Sequence, residues 1–187
     1  MGYSEAVEAM ATVLAYAGYD VESDGLADTP ARFVRALHEM TAGEDTDPGE
    51  HLTKVFGVDD VDEMIVLRRL PLVSLCEHHL LPFFGYATVG YIPAPHGGIV
   101  GISKLARVVD GYARRLQVQE RLTSQIVACI DKHTNNVGVA ATIEATHTCM
   151  TVRGVRKDSS VMVTSKLIGA FRNDPTARAE FLELARS

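Results

Sequence analysis

The sequence predicts an α+β protein, an antiparallel sheet with two sequential helices on one face. Two observations carry this expectation. A pair of β-rich runs, a pair of amphipathic helical stretches and a second pair of β-rich runs follow one another, giving a β-β-α-α-β-β order with helices before and after. Of the 187 residues, 47% are hydrophobic, enough for a sizeable core.

From Ser4 the apolar positions Val7, Met10, Leu14 and Ala17 fall on one helical face; Glu5 and Glu8 suit a first turn and Gly18 a stop. Thr29 and Pro30 read as a second helix start, a capping hydroxyl followed by a first-turn proline, and Phe33, Leu37 and Met40 continue the face to Gly43. Residues 41–49 are rich in Gly, Asp, Glu and Thr and form the expected boundary between a helical arm over residues 1–48 and a main domain over residues 49–187. Residues 64–75 and 86–92 read as adjacent strands separated by residues 76–85, and Pro93, Pro95, Gly97 and Gly98 mark a turn.

Behind Ser103, the residues Leu105, Val108, Val109 and Tyr112 give the i, i+3, i+4, i+7 pattern of an amphipathic helix, and Leu122, Ile126 and Ile130 form another after Gln119. Residues 139–152 and 160–168 give the second strand pair. Asp174 and Pro175 open a last helix carrying Phe181 and Leu184.

The formal net charge of −6, without a basic stripe, excludes a nucleic-acid footprint. No apolar run approaches the roughly 18 residues of a membrane span, so a cytoplasmic protein with no membrane partner is expected. Three cysteines, Cys76, Cys129 and Cys149, suit thiols or metal ligands better than a disulfide framework.

Cys76 and His79, three apart where a strand gives way to a loop, can both point at one ion. His147 and Cys149 are two apart in an expected strand, where alternation places both, with Thr151 and Arg153, on one face. Cys76, His79 and Cys149 together make a Cys₂His set for Zn²⁺ that leaves a fourth position open for water, with His78 and His147 nearby as non-ligands able to move protons. A lone Cys or His in a strand is more often a core filler; the clustering into two tight groups favours the metal. Cys129, on the apolar face of its helix, reads as core, and His38, His51, His96 and His133 stand apart from other ligands. Glu120 by itself reads as a helix-start carboxylate, and Arg32, Lys104, Arg107 and Arg153 as solvated charges.

Four motifs change that ranking: Cys76-Glu77-His78-His79; Gly101-Ile102-Ser103-Lys104-Leu105-Ala106-Arg107; Gln117-Val118-Gln119-Glu120-Arg121-Leu122-Thr123; and His147-Thr148-Cys149-Met150 with Arg153-Gly154. In this order they resemble the GTP cyclohydrolase I family, from about Thr29 onward. The resemblance implies the tunnelling fold, in which sheets of neighbouring subunits join in a ring and two pentameric rings stack into a homodecamer. It implies zinc on Cys76, His79 and Cys149, guanine held by Glu120, and the triphosphate of GTP held by Arg32, Lys104, Arg107 and Arg153, with Arg32 reaching in from a neighbouring subunit. It implies conversion of GTP and water to 7,8-dihydroneopterin triphosphate and formate, with His147 protonating N7 and with His78 and Ser103 assisting ribose opening and rearrangement.

Thr148 departs from the bulkier residue expected there, and residues 157–160 also depart from the common pattern. Two alternatives stand beside this reading. One is a nitrile reductase of the same fold, with a cysteine nucleophile and no zinc. The other is a non-catalytic zinc assembly module that takes His147 as a fourth ligand.

Overall fold

A computed structural model describes residues 2–57 and 61–186. By its internal contacts the chain forms two compact units, Met1–Ala42 and Gly43–Ser187.

The first unit holds two helices, α1 (Tyr3–Tyr16) and α2 (Thr29–Met40). Gly18, just past α1, has φ +90°, the left-handed conformation that glycine adopts without strain. The expected hydroxyl cap at Thr29 is corrected. Thr29 and Pro30 are already helical, and Asp28 stands at the N-cap without a side-chain cap bond. Its carboxylate accepts instead from Arg32 Nη2 at 2.8 Å, one turn on.

The second unit opens with a 3₁₀ turn, Pro48–Thr53. Then come β1 (Val55–Phe56), β2 (Ile65–Cys76), β3 (Pro82–Pro93), β4 (Ile99–Val100), α3 (Ile102–Ala113), β5 (Leu116–Gln117), α4 (Gln119–His133), β6 (Asn136–His147), α5 (Thr148–Thr151), β7 (Met162–Gly169), α6 (Ala170–Asn173) and α7 (Pro175–Arg186). The main sheet has the order β5-β2-β3-β6-β7, antiparallel except for the short parallel pairing of β5 on β2; β1 and β4 form a separate two-stranded ladder. The unit is thus a mixed α+β structure.

Strand alternation divides the core between the two faces of the sheet. On one face Ala87, Val89 and Tyr91 of β3 and Val139, Ala141, Ile143 and Ala145 of β6 pack under α3 and α4, whose Leu105, Val108, Val109, Leu122, Ile126 and Ile130 are almost fully buried. On the other face Ala140 and Leu167 pack with Phe171 and Phe181 of the C-terminal helices. Thr88 and Thr142 on that second face are also buried, while Val73, Phe84, Tyr86 and Val163 are exposed.

Two strand boundaries differ from expectation. β3 begins at Pro82, which leaves residues 77–81 as the whole connection from β2. Proline suits a strand start because it has no N–H to place in a ladder, and Phe83 beside it is fully buried. The run expected to remain β through Val152 stops at His147. There the Thr148 hydroxyl donates to the Pro82 carbonyl at 2.6 Å, and the chain turns into α5. None of the described helices is long and apolar enough to cross a membrane.

Candidate metal centre

Cys76 closes β2, and the turn that follows brings His79 back toward it. The Cys76 N–H donates to the Leu81 carbonyl at 2.9 Å, while the Cys76 carbonyl accepts from the Leu80 N–H at 2.8 Å, with Leu80 at φ +54°. The Cys76 sulfur consequently lies 3.7 Å from His79 Nδ1. Cys149 arrives from α5, and the ligand atoms of Cys76, His79 and Cys149 all lie within 4.8 Å of one another. Cys149 does not share a strand face with His147, as alternation implied; the break at Thr148 carries it to the cluster.

The donor set fits a zinc ion. Tetrahedral zinc with ordinary bond lengths sets a sulfur and a nitrogen ligand about 3.6 Å apart. Burial first, and the neighbouring Cys76 thiol second, push the Cys149 thiol above its ordinary range, with Arg153 acting in the opposite direction. Two adjacent thiols resist ionising together, and a bound dication reverses that balance.

The ligand turn is tied to the start of α4. The Glu77 N–H donates to the Gln117 carbonyl at 3.0 Å, and the Glu77 carboxylate pairs with Arg121. The Arg121 guanidinium beside it holds the Glu77 carboxyl below its ordinary range, burial opposing. Arg121 Nε also donates to Gln117 Oε1 at 3.1 Å, and Gln117 is itself buried.

His147, at the last position of β6, faces α4. Its ring stacks on Phe83, its register partner, with centroids 4.5 Å apart and planes at 6°. Its Nε2 lies 2.8 Å from Oε1 of Gln119. Burial lowers the His147 pKa, and the charge of Glu120 acts to raise it. His147 does not join the group of ligand atoms, so the fourth protein ligand of a closed structural site is not supplied from there.

The other sequence-selected residues are placed as follows. His78 is exposed, with Nε2 3.7 Å from Glu77 Oε1. Glu120 is exposed in the first turn of α4, next to Gln119. Ser103, Lys104 and Arg107 lie in the first two turns of α3 and make no side-chain hydrogen bond among the described residues. Arg153 is exposed beyond α5, near enough for its charge to act on Cys149. Arg32 belongs to the first unit, where it pairs with Asp28.

Cys129 is buried as expected, but His133 does not stand apart. Its Nδ1 lies 2.9 Å from the Cys129 carbonyl and 3.9 Å from the Cys129 sulfur. Sequence reasoning also passed over Gln119, although it falls on the apolar face of α4, three and seven residues before Leu122 and Ile126. That register with the apolar face is the one hint the sequence offers, and a helix-start glutamine reads as solvated without the structure, where it is 1% exposed.

A family model described as GTP cyclohydrolase I matches residues 6–186. GTP cyclohydrolase 1 of Rhodopirellula baltica is 49% identical over 176 residues, 94% of this chain and 76% of that protein. The Pelotomaculum thermopropionicum protein of the same name is 48% identical over 179 residues, covering 96% of this chain and 94% of its own length. For that of Alkalilimnicola ehrlichii the figures are 47% over 185 residues, 98% and 99%. A solved archaeosine synthase QueF-Like structure in the apo form covers 57% of this chain and 93% of its own at 18% identity and TM-score 0.45, too remote to bear on fold or function.

Proposed function

Because this chain belongs to the GTP cyclohydrolase I family, we propose that Cys76, His79 and Cys149 hold Zn²⁺ and that the residues around them act on GTP. The enzyme converts GTP and water to 7,8-dihydroneopterin triphosphate with release of formate. The observation that supports the site assignment is the convergence of two sulfurs and one imidazole nitrogen at the end of β2, with a non-ligating histidine on the adjoining strand end.

When bound, the metal supplies Lewis acidity that brings the pKa of water down toward about 7. Glu120 binds guanine, its two carboxylate oxygens accepting from the ring's N–H donors. Lys104, Arg107 and Arg153, with Arg32 of a neighbouring subunit, hold the triphosphate, the guanidinium forks matching its oxygens. His147 hands a proton to N7, and His78 and Ser103 assist ribose opening and the rearrangement before ring closure. The stack on Phe83 and the bond to Gln119 support this role for His147, since they fix its ring plane and rotation.

The fold we assign is the tunnelling fold, with residues 1–48 as a helical arm ahead of a catalytic domain over residues 49–187, assembled as a homodecamer of two pentamers in the cytoplasm. Support for assembly comes from the edge strand β7 and from the apolar residues Val73, Phe84, Tyr86 and Val163 left exposed on the sheet, with Val161 exposed just ahead of β7. The product serves folate, pterin-cofactor or deazapurine synthesis.

His147→Ala tests the reading. With zinc content unchanged, formate release is expected to fall by about 10²–10⁴-fold, the usual contribution of a positioned acid or base. Undiminished release from zinc-loaded His147→Ala removes His147 from the chemistry.

A further inference from the structure

Gln119 is the first residue of α4 and is almost fully buried, yet it carries a primary amide. Its nitrogen faces three acceptors: the Ile143 carbonyl at 2.9 Å, the Met162 carbonyl at 3.1 Å and Thr164 Oγ1 at 3.1 Å. Main-chain carbonyls only accept. The opposite amide orientation would set oxygen against two oxygens in a buried place, so the nitrogen is fixed on that side.

The hydroxyls nearby agree with this direction. Thr123 donates its single proton to the main-chain carbonyl of Gln119 at 2.7 Å. The 2.7 Å contact between the Thr123 and Thr164 hydroxyls must then be donated by Thr164, which leaves Thr164 Oγ1 free to accept from Gln119. Each hydroxyl proton in this network has one place to go, and the two amide protons of Gln119 are shared among three acceptors.

Oε1 of Gln119 is therefore an acceptor without a proton, 2.8 Å from Nε2 of His147. We infer that Gln119 is a positioning residue that commits His147 Nε2 to donation, so that Nδ1 is the ring nitrogen that exchanges a proton with the substrate. This rests on the reading of His147 as the proton donor. In the step, the Nδ1–H bond gives its proton to the purine nitrogen and its electron pair stays on Nδ1. The Nε2–H bond to Gln119 is kept, and the ring passes from cation to neutral imidazole.

Gln119→Met and Gln119→Glu separate direction from packing. Methionine keeps the volume but loses the acceptor, and kcat is expected to fall by about 10–100-fold with KM within about twofold and zinc content unchanged. Glutamic acid can place O–H toward the carbonyls and a bare oxygen toward His147. It should retain more kcat than methionine even where it melts lower. Activity that follows melting temperature instead, or a loss confined to KM or zinc content, overturns the inference.

The unsubstituted zinc-loaded protein gives a second test independent of how the variants fold. With ¹⁵N-labelled histidine at alkaline pH, the His147 signal, assigned by its loss in His147→Ala, is expected to show Nε2 protonated and Nδ1 bare. The reverse pattern overturns the assignment. If His147→Ala keeps releasing formate, the reading beneath the inference falls with it. If His147→Ala is inactive while Gln119→Met turns over normally, only the inference falls.

Discussion

Two cysteine–histidine pairs in this chain look alike by distance and differ in everything else. Cys76 and His79 are three residues apart with 3.7 Å between sulfur and Nδ1; Cys129 and His133 are four apart with 3.9 Å. In the first pair the sulfur and the nitrogen meet a third donor, Cys149. In the second, His133 Nδ1 is spent on the Cys129 carbonyl at 2.9 Å, and no third ligand joins the pair among the described residues. Separation between two donors therefore says little about metal binding. A third convergent group and uncommitted nitrogens decide it.

The largest expected effect comes from removing what the second pair lacks. Cys149→Ala should lose stoichiometric zinc on gel filtration and release formate at least about 100-fold more slowly, since a two-ligand remnant neither retains the ion nor fixes its geometry. Cys129→Ala should keep zinc and turnover and lose about 1 kcal/mol of stability, an ordinary cost for a small buried group. Zinc loss from Cys129→Ala, or retention by Cys149→Ala, would invert the comparison.

Thiol chemistry sharpens the same contrast. Alkylation followed by peptide mass analysis should label Cys76 and Cys149 only after chelation, and Cys129 only on unfolding. Burial chiefly pushes the Cys129 thiol above its ordinary value of 9.0, and burial with the neighbouring Cys129 pushes the Tyr112 hydroxyl to about 12. A group whose folded pKa is raised contributes stability that is present below its unfolded pKa and is lost as pH rises through the folded one. Alkaline denaturation above about pH 9 should accordingly be shallower in Cys129→Ala.

The way each pair was read from sequence follows from its physics. Helical periodicity is strong in α3 and α4, so their buried faces were legible residue by residue, and Cys76 and His79 were legible because a turn after a strand can fold a three-residue spacing onto one ion. Strand alternation past His147 selects Cys149 for the wrong reason, because the bond that ends the strand joins Thr148 to Pro82, 66 positions away. Nothing local announces such a bond. His133 was passed over although an i, i+4 spacing on one helix face already put it over Cys129. Gln119 was missed because a glutamine at a helix start looks solvated until the strands that surround its amide are in place.

A glycine allows the second pair to be disturbed without touching the first. A methyl group added at Gly49 would stand 2.3 Å from His133 Cε1 and 2.7 Å from Nε2. The ring cannot swing away freely while its Nδ1 holds the Cys129 carbonyl. Gly49→Ala should destabilise the protein by about 1–3 kcal/mol, the usual cost of overpacking, with zinc content unchanged. Denaturant unfolding and metal analysis on one preparation check both halves. A variant as stable as the parent shows that the His133 ring moves, and that its bond to the carbonyl contributes little.

The smallest expected effect concerns how the first pair is held. Glu77 sits between the ligand Cys76 and His78, and its carboxylate faces Arg121 of α4. The Arg121 hydrogen bond is the main reason its pKa lies below the ordinary 4.5. A lowered carboxylate pKa contributes stability that is present above the unfolded value and is lost as pH falls through the folded one. The difference in melting temperature between the parent and Glu77→Gln should therefore be constant near neutral pH and shrink below about pH 4.5. Because the pair is exposed and screened by salt, the difference should be small and should diminish at high ionic strength. The backbone bond from the Glu77 N–H to the Gln117 carbonyl survives the substitution, so zinc content should not change. A Glu77→Gln protein that loses zinc at neutral pH would show that the ion pair, and not the backbone of the turn, sets the position of Cys76 and His79.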